Sequence, residues 1–264
     1  MAGLEAILWD VDGVLAESER DGHRVAFNLA FEACGLPWRW GEARYGELLR
    51  ITGGRERLRH DMNSRSDAPV LADQREALVR EVHLKKNAFY AGLVQAGKIP
   101  LREGVRELMQ ECRDRGVRMG IATTTSRSNV QALLQTHLGG AWGEWFGAVV
   151  CGEDVRSKKP DPEVYLRALS TLEIGPLQAV AIEDSPGGVV AARAADIPVV
   201  VTRSHYFAAA AIDSAIAIGP GLHERSHWHP ALRIEPGNAT RVRLGDIEAW
   251  AAQGESVSQF GDAL

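Results

Sequence analysis

Short apolar runs punctuate the chain at Leu4–Trp9, Val117–Ala122, Ala148–Cys151, Ala179–Ile182 and Ile197–Val201. Runs of that length bounded by turn residues read as buried strands. Stretches with helical spacing lie beside them, such as Val105-Leu108-Met109-Cys112 and Val130-Leu133-Leu134. Alternation of this kind predicts an α/β domain whose parallel sheet is covered on both faces.

The block from Ser18 to about Lys98 has a different texture. Charged amphipathic patterns fill it and no strand stands out, with Leu71–Tyr90 reading as one long helix and Thr52-Gly53-Gly54 as a loop. The pattern therefore predicts a core of residues 1–16 and 99–264, split by an all-helical insert of residues 17–98. Segments Leu15–Glu19 and Ala96–Arg102 become the hinges about which the two parts would open. Beyond Arg203 the signal fades into a stretch rich in Gly, Pro and His, from Gly219 to Gly237, before a weak amphipathic end at Leu244–Ala251. No function is assigned to it, and His223, His227 and His229 are read as surface residues.

Composition narrows the partners. Lys plus Arg number 30 against 35 Asp plus Glu, a net charge of -5, so no global basic field invites a polyanion and nucleic acid is not an expected partner. The three cysteines, Cys34, Cys112 and Cys151, form no C-x-x-C pair and fit a reducing compartment. No apolar run approaches the roughly 18 residues of a membrane span, and the Met-Ala-Gly-Leu-Glu start lacks the order of a signal peptide. A cytoplasmic monomer that meets neither membrane nor nucleic acid is the expectation. Trp38-Arg39-Trp40 reads as packing for the insert.

Chemistry gathers at the strand ends, which converge on one crevice in an open α/β sheet. The first strand ends in Asp10 and Asp12, the next in Thr123-Thr124-Thr125 and the fourth in Glu183-Asp184, while Lys159 precedes Pro160 just before a helix. Clustered carboxylates repel one another unless a cation sits among them, and oxygen ligands suit magnesium, so Asp10, Asp12, Glu183 and Asp184 are candidate ligands for Mg2+. Asp10 could attack a phosphoryl group and Asp12 could exchange a proton, with Thr123, backbone N–H groups and Lys159 around the transferring oxygens. Singly, each residue also has a plainer reading: a solvated D-x-D turn, a surface lysine, β-branched strand residues, or a Glu-Asp-Ser helix cap.

Together, Asp10-Val11-Asp12-Gly13-Val14-Leu15, Ile121-Ala122-Thr123-Thr124-Thr125, Lys159-Pro160-Asp161-Pro162 and Ile182-Glu183-Asp184-Ser185 resemble the four motifs of the haloacid dehalogenase superfamily. The resemblance covers about residues 4–205. It implies a Rossmann-like core with the helical insert as a mobile cap, Asp10 as the nucleophile that becomes aspartyl-phosphate, and Asp12 as general acid and base. Thr123 and Lys159 would hold the phosphate, and Asp184 with Glu183 would help bind magnesium. A second acid at Asp12 favours phosphoryl chemistry over dehalogenation.

Glu17-Ser18-Glu19 with His23, Thr52-Gly53-Gly54-Arg55, His83-Leu84-Lys85-Lys86, Thr123-Thr124-Thr125-Ser126 and Lys158-Lys159-Pro160 further resemble motifs of the CbbY-type sugar-bisphosphate phosphatases. This likeness implies hydrolysis of xylulose 1,5-bisphosphate, an inhibitory by-product of Rubisco in the Calvin cycle. It places Glu17, Glu19, His23, Thr52, Gly53, Gly54, Arg55, His83, Lys86, Thr124, Thr125 and Asn129 against the substrate. Backbone N–H groups at the paired glycines, with Arg55 and Lys86, could hold a second, non-reacting phosphate. Two alternatives stay open: a β-phosphoglucomutase-like mutase carries the same motifs, and a sugar-phosphate-binding regulator without turnover would need similar ligands.

Overall fold

In the computed structural model, which describes residues 3–232 and 240–261 with side chains as far as Gln253, the five apolar runs become five strands of a six-stranded sheet. Its strands are β1 (Ala6–Trp9), β2 (Arg118–Ala122), β3 (Ala148–Val150), β4 (Ala179–Glu183), β5 (Val199–Thr202) and β6 (Ala217–Gly219), in the order β3-β2-β1-β4-β5-β6. Every pairing is parallel. The winding therefore runs one way from β1 to β3 and the other way from β4 to β6, a reversal that opens a crevice at the carboxyl ends beside β1. Trp9 pairs with both Ile121 and Ile182, so Asp10 comes level with the ends of β2 and β4.

Strand side chains alternate between two cores. Ile7, Trp9, Ile121 and Ile182 belong to one, which also takes the apolar faces of α5 (Val105–Asp114), α6 (Arg127–Leu138) and α9 (Leu244–Gly261). Ala6, Leu8, Ala181 and Val201 belong to the other, covered by α7 (Glu163–Leu172) and α8 (Pro186–Ala194). Full burial of β1 explains its unbroken apolar sequence. At the start of α8, the Ser185 hydroxyl accepts from the Gly188 N–H at 3.1 Å, with Pro186 at the first helical position.

Between β1 and β2 the chain is helical: a turn at Glu19–His23 leads into α1 (Arg24–Ala33), followed by α2 (Glu42–Leu48), α3 (Gly54–Met62) and α4 (Ala72–Gln95). These helices enclose an apolar cluster of their own, including Phe27, Phe31, Trp40, Leu58 and Val82. Trp38 and Trp40 are buried in it, and their indole N–H groups donate to Asp67 and Asp61, each at 2.8 Å. Among the described residues no helix is long and apolar enough to cross a membrane.

The stretch after Arg203 is more structured than its sequence suggests. It contributes β6, too short at Ala-Ile-Gly to show a period, and Trp228 and Trp250 stack with centroids 4.6 Å apart. Residues 233–239 of that stretch lie outside the described residues. His223 and His227 each face Glu224, at 3.7 and 2.6 Å, the acidic residue that directly follows His223 in the chain.

Candidate functional site

Lys159 organises the floor of the crevice. Its buried ammonium donates to Asp10 Oδ1 at 2.9 Å, Glu183 Oε1 at 2.6 Å and the Ala122 carbonyl at 2.8 Å. All three N–H donors are thereby used. The Tyr165 hydroxyl, from the buried face of α7, donates to the same Glu183 oxygen at 2.5 Å, and the Ser204 hydroxyl donates to Asp184 Oδ2 at 2.6 Å. Two glycines allow this crowding. A Cβ on Gly13, whose φ is +84°, would stand 1.9 Å from Asp184 Oδ2, and one on Gly188 would stand 2.0 Å from Glu183 Oε2.

Asp10, Glu183 and Asp184 each present a carboxylate oxygen within 4.8 Å of the others. Burial pushes the Asp10 carboxyl up to about 7, against the pull of Lys159 and with the charges of Glu183 and Asp12 adding to it. Burial likewise raises Asp184 well above the usual range, helped by Asp10 and Glu183. Lys159 is already shared between two carboxylates, so the set is short of positive charge. An all-oxygen donor set in that condition fits a hard divalent cation such as Mg2+.

The fourth carboxylate named from the sequence, Asp12, is turned elsewhere. Its Oδ1 accepts from the Ser18 hydroxyl and lies 2.9 Å from His23 Nε2, whose ring stacks on Tyr90 at 4.3 Å. Burial would raise this carboxyl, but His23 and the Ser18 hydrogen bond hold it well below the usual range. In the free enzyme Asp12 is thus held ionised, with Oδ1 engaged by its two neighbours and Oδ2 left unengaged by them.

A cavity of about 550 Å³ lies between this floor and the helical insert. Asp10, Asp12, Thr123–Ser126, Asn129, Lys159 and Asp184 line it from the core, and Glu19, His23, Thr52–Arg57, His83 and Lys86 from the insert. Glu17 is not among the lining residues. Its carboxylate pairs with Arg102 Nε at 3.8 Å and accepts from the His205 N–H at 3.2 Å, at the hinge.

The wall opposite the carboxylates is cationic. Gly53, at φ +94°, leads into α3 without an N-cap side chain; the Glu56 carboxylate folds back on its own N–H, and the N–H groups of Gly54 and Arg55 are left for an anion. Arg55 Nε donates to His83 Nδ1 at 3.4 Å, and burial together with Lys86, Arg55 and Lys158 lowers the His83 imidazole to about 3, keeping it a neutral acceptor. Arg57, not singled out from the sequence, is buried and donates to the Tyr45 hydroxyl at 2.7 Å, beside Glu19 Oε2 at 3.6 Å. Lys158 reaches across from the core to both Glu56 carboxylate oxygens at 2.9 Å.

Lys86 lies over the rings of Phe27 and Tyr90, at 5.5 and 5.3 Å, and its carboxylate neighbours act only at a distance. Burial lowers its ammonium to about 8, against the charges of Asp12 and Glu19. An anion bound beside it therefore loses attraction as pH rises through that value. KM for an anionic substrate should climb between about pH 7.5 and 9.5, and Lys86→Met should remove that rise while raising KM at neutral pH. Parallel pH profiles of KM in the two proteins would refute the role.

Residues 4–196 match the haloacid dehalogenase-like hydrolase family. The chain is 38% identical over 248 residues to the plasmid-borne CbbY protein of Cupriavidus necator, covering 94% of this chain and 96% of that protein. It is 41% identical over 203 residues to CbbY of Rhodobacter capsulatus, covering 77% and 87% respectively. A crystal structure of a mutant CbbY from Rhodobacter sphaeroides, in complex with xylulose-(1,5)-bisphosphate, superposes with a TM-score of 0.75 at 38% identity, covering 80% of this chain and 92% of that one. This chain is an enzyme that belongs to the haloacid dehalogenase-like hydrolases and, within them, to the CbbY group.

Proposed function

We propose that the enzyme is a magnesium-dependent phosphatase that releases phosphate from a sugar bisphosphate, with xylulose 1,5-bisphosphate yielding xylulose 5-phosphate as the favoured reaction. One observation carries the reading: a single cavity joins the Asp10 floor to a separate cationic wall at Gly53, Gly54, Arg55 and Lys86, giving each end of a bisphosphate its own anion site. The bisphosphate bound to CbbY of Rhodobacter sphaeroides supports it. On this reading the reaction removes a Rubisco inhibitor.

The Asp10 carboxylate forms a bond to phosphorus as the ester P–O bond breaks, and its electron pair leaves with the sugar oxygen, which takes a proton from Asp12; ionised in the free enzyme, Asp12 picks up that proton from solvent as the anionic substrate binds beside it and raises its affinity for it. Water then attacks the aspartyl-phosphate and gives a proton to Asp12, freeing phosphate and Asp10. Asp12 shuttles a single proton because His23 and Ser18 fix its Oδ1 and leave the other oxygen to the substrate. Lys159 and Thr123 bring positive charge and a hydroxyl to the phosphoryl oxygens. Asp10 and Asp184, backed by Glu183, would hold Mg2+, which supplies neutralising charge when bound.

A panel of sugar mono- and bisphosphates assayed for inorganic phosphate tests the proposal. Arg55→Ala should lower kcat/KM for bisphosphates by roughly 10–100-fold, the value of a lost charged hydrogen bond, and alter monophosphate turnover by less than about three-fold. Equal losses on both substrate types would remove Arg55 from the second phosphate. Isomeric sugar phosphate formed without phosphate release would replace hydrolysis by the mutase reaction.

A further inference from the structure

We propose that Arg102 is a positioning residue for Asp184: it fixes the two groups that touch this carboxylate and ties them to both hinges and to the segment after β6. The inference rests on the reading that Asp10 and Asp184 hold a divalent cation.

Arg102 lies at the end of the second hinge, and its own N–H donates to the Leu15 carbonyl of the first hinge at 2.8 Å. Its side chain, 14% exposed, touches no metal-binding carboxylate. Nη1 donates to the Gly13 carbonyl and faces Thr202 Oγ1 at 3.5 Å. Nη2 donates to the Arg203 carbonyl at 2.6 Å and the Pro220 carbonyl at 3.1 Å, and Nε pairs with Glu17 at 3.8 Å. The rigid guanidinium fork thus joins three chain segments, at residues 13–17, 202–203 and 220, which the single head of a lysine cannot do.

Two of those carbonyls flank the surroundings of Asp184. Gly13 presents its bare Cα to Asp184 Oδ2, so a shift of its peptide moves the wall against which the carboxylate rests. The Arg203 carbonyl belongs to the peptide that leads into Ser204, whose hydroxyl donates to the same oxygen at 2.6 Å. Gripping both peptides aims Asp184 from two sides, the kind of outer support that sets metal affinity. The Pro220 contact brings in residues beyond the family match. Leu222 backbone atoms lie 2.6 Å from where a Cβ on Gly104 would stand, so this segment is seated directly on the start of α5. The segment after β6 thereby buttresses the second hinge from behind, and Glu17, which does not line the cavity, is an anchor of the hinge.

Binding of Mn2+, followed by the electron paramagnetic resonance of the free ion, tests this on the folded protein well below its unfolding transition. Wild type should bind and Asp184→Asn should not; failure of either sinks the metal reading itself. Arg102→Met should weaken Mn2+ binding by roughly ten-fold, and Arg102→Lys should also weaken it. Arg115→Met, at a surface arginine bonded to Glu248 at 2.8 Å, should leave it unchanged. Because Arg102 acts partly through Ser204, its substitution in a Ser204→Ala background should cost less than in wild type. The Mg2+ concentration for half-activation should rise with the Mn2+ constant, while KM at saturating Mg2+ stays within about two-fold. Wild-type Mn2+ affinity in a folded Arg102 variant, or full additivity with Ser204→Ala, overturns the proposal. Failure of both Arg102 variants to fold also overturns it, by assigning the residue to stability.

Discussion

Asp10→Asn should abolish phosphate release while leaving the fold intact. Asparagine matches the shape of aspartate, and its carbonyl can still accept from Lys159, whose other partners, Glu183 and the Ala122 carbonyl, are untouched. An amide oxygen is a far weaker nucleophile than a carboxylate, so kcat should fall by about 10⁴-fold or more, as when other covalent nucleophiles are removed. Activity within ten-fold of wild type would dismiss Asp10 as the attacking group.

The same substitution carries a stability signature of opposite sense. In the metal-free protein, burial raises the Asp10 carboxyl from 3.8 to about 7. A carboxyl raised by folding binds its proton more tightly in the native state, so its contribution to stability is full at acid pH and is lost as pH rises through that window. Asparagine has no such titration. In EDTA, the melting temperature of Asp10→Asn relative to wild type should therefore increase from pH 4 to pH 7 and level off above. A difference independent of pH would show that the carboxylate is already neutralised in the apo protein.

Legibility in the sequence followed the range of the contacts. The five apolar runs were readable because each strand is buried on both faces, and the motif residues were readable because strand ends in an open sheet must converge. The partners that tune them were not. Tyr165 and Ser204 reach the floor from α7 and the loop after β5, Arg102 supports it from a hinge, and nothing local distinguishes them from other polar residues near apolar stretches. Asp12 stands two residues from Asp10 and by position groups with the metal carboxylates, yet its side chain meets Ser18 and His23 instead. In α3, Arg55, Arg57 and Arg59 look alike in a charged run, but Arg57 shares the buried face with Leu58, Asp61 and Met62. The spacing 57, 58, 61, 62 marks one helical face, and Arg59 falls off it and pairs with Glu76 near the surface.

Lys159→Met should produce the largest loss of stability, because it strips one cation from two buried carboxylates. Glu183 is fully buried and Asp10 nearly so, and the Ala122 carbonyl would lose its ammonium donor as well. Removing one partner of a buried ion pair typically costs about 3–5 kcal/mol, because the remaining charge has no water to return to. For a chain of this size that is on the order of 10 °C in melting temperature. The deficit must depend on pH. Burial would lower the Lys159 ammonium, but Asp10 and Glu183 raise it, and the reciprocal effect is that Lys159 lowers Asp10. Without the lysine, the native-state Asp10 carboxyl rises further above its unfolded value. The variant then becomes more stable as pH falls, by taking up protons, and less stable as pH increases towards neutrality. The gap from wild type should therefore be smallest near pH 4 and largest near pH 8. Added Mg2+ should narrow it at pH 8 by neutralising the same carboxylates, although turnover should remain on the order of 10³-fold below wild type for want of charge beside the phosphoryl oxygens. Thermal unfolding across that pH range with and without Mg2+ measures all three effects. A deficit below about 1 kcal/mol, or one equal at pH 4 and pH 8, would show that Asp10 and Glu183 do not depend on this ammonium and that the floor is held together by its other hydrogen bonds.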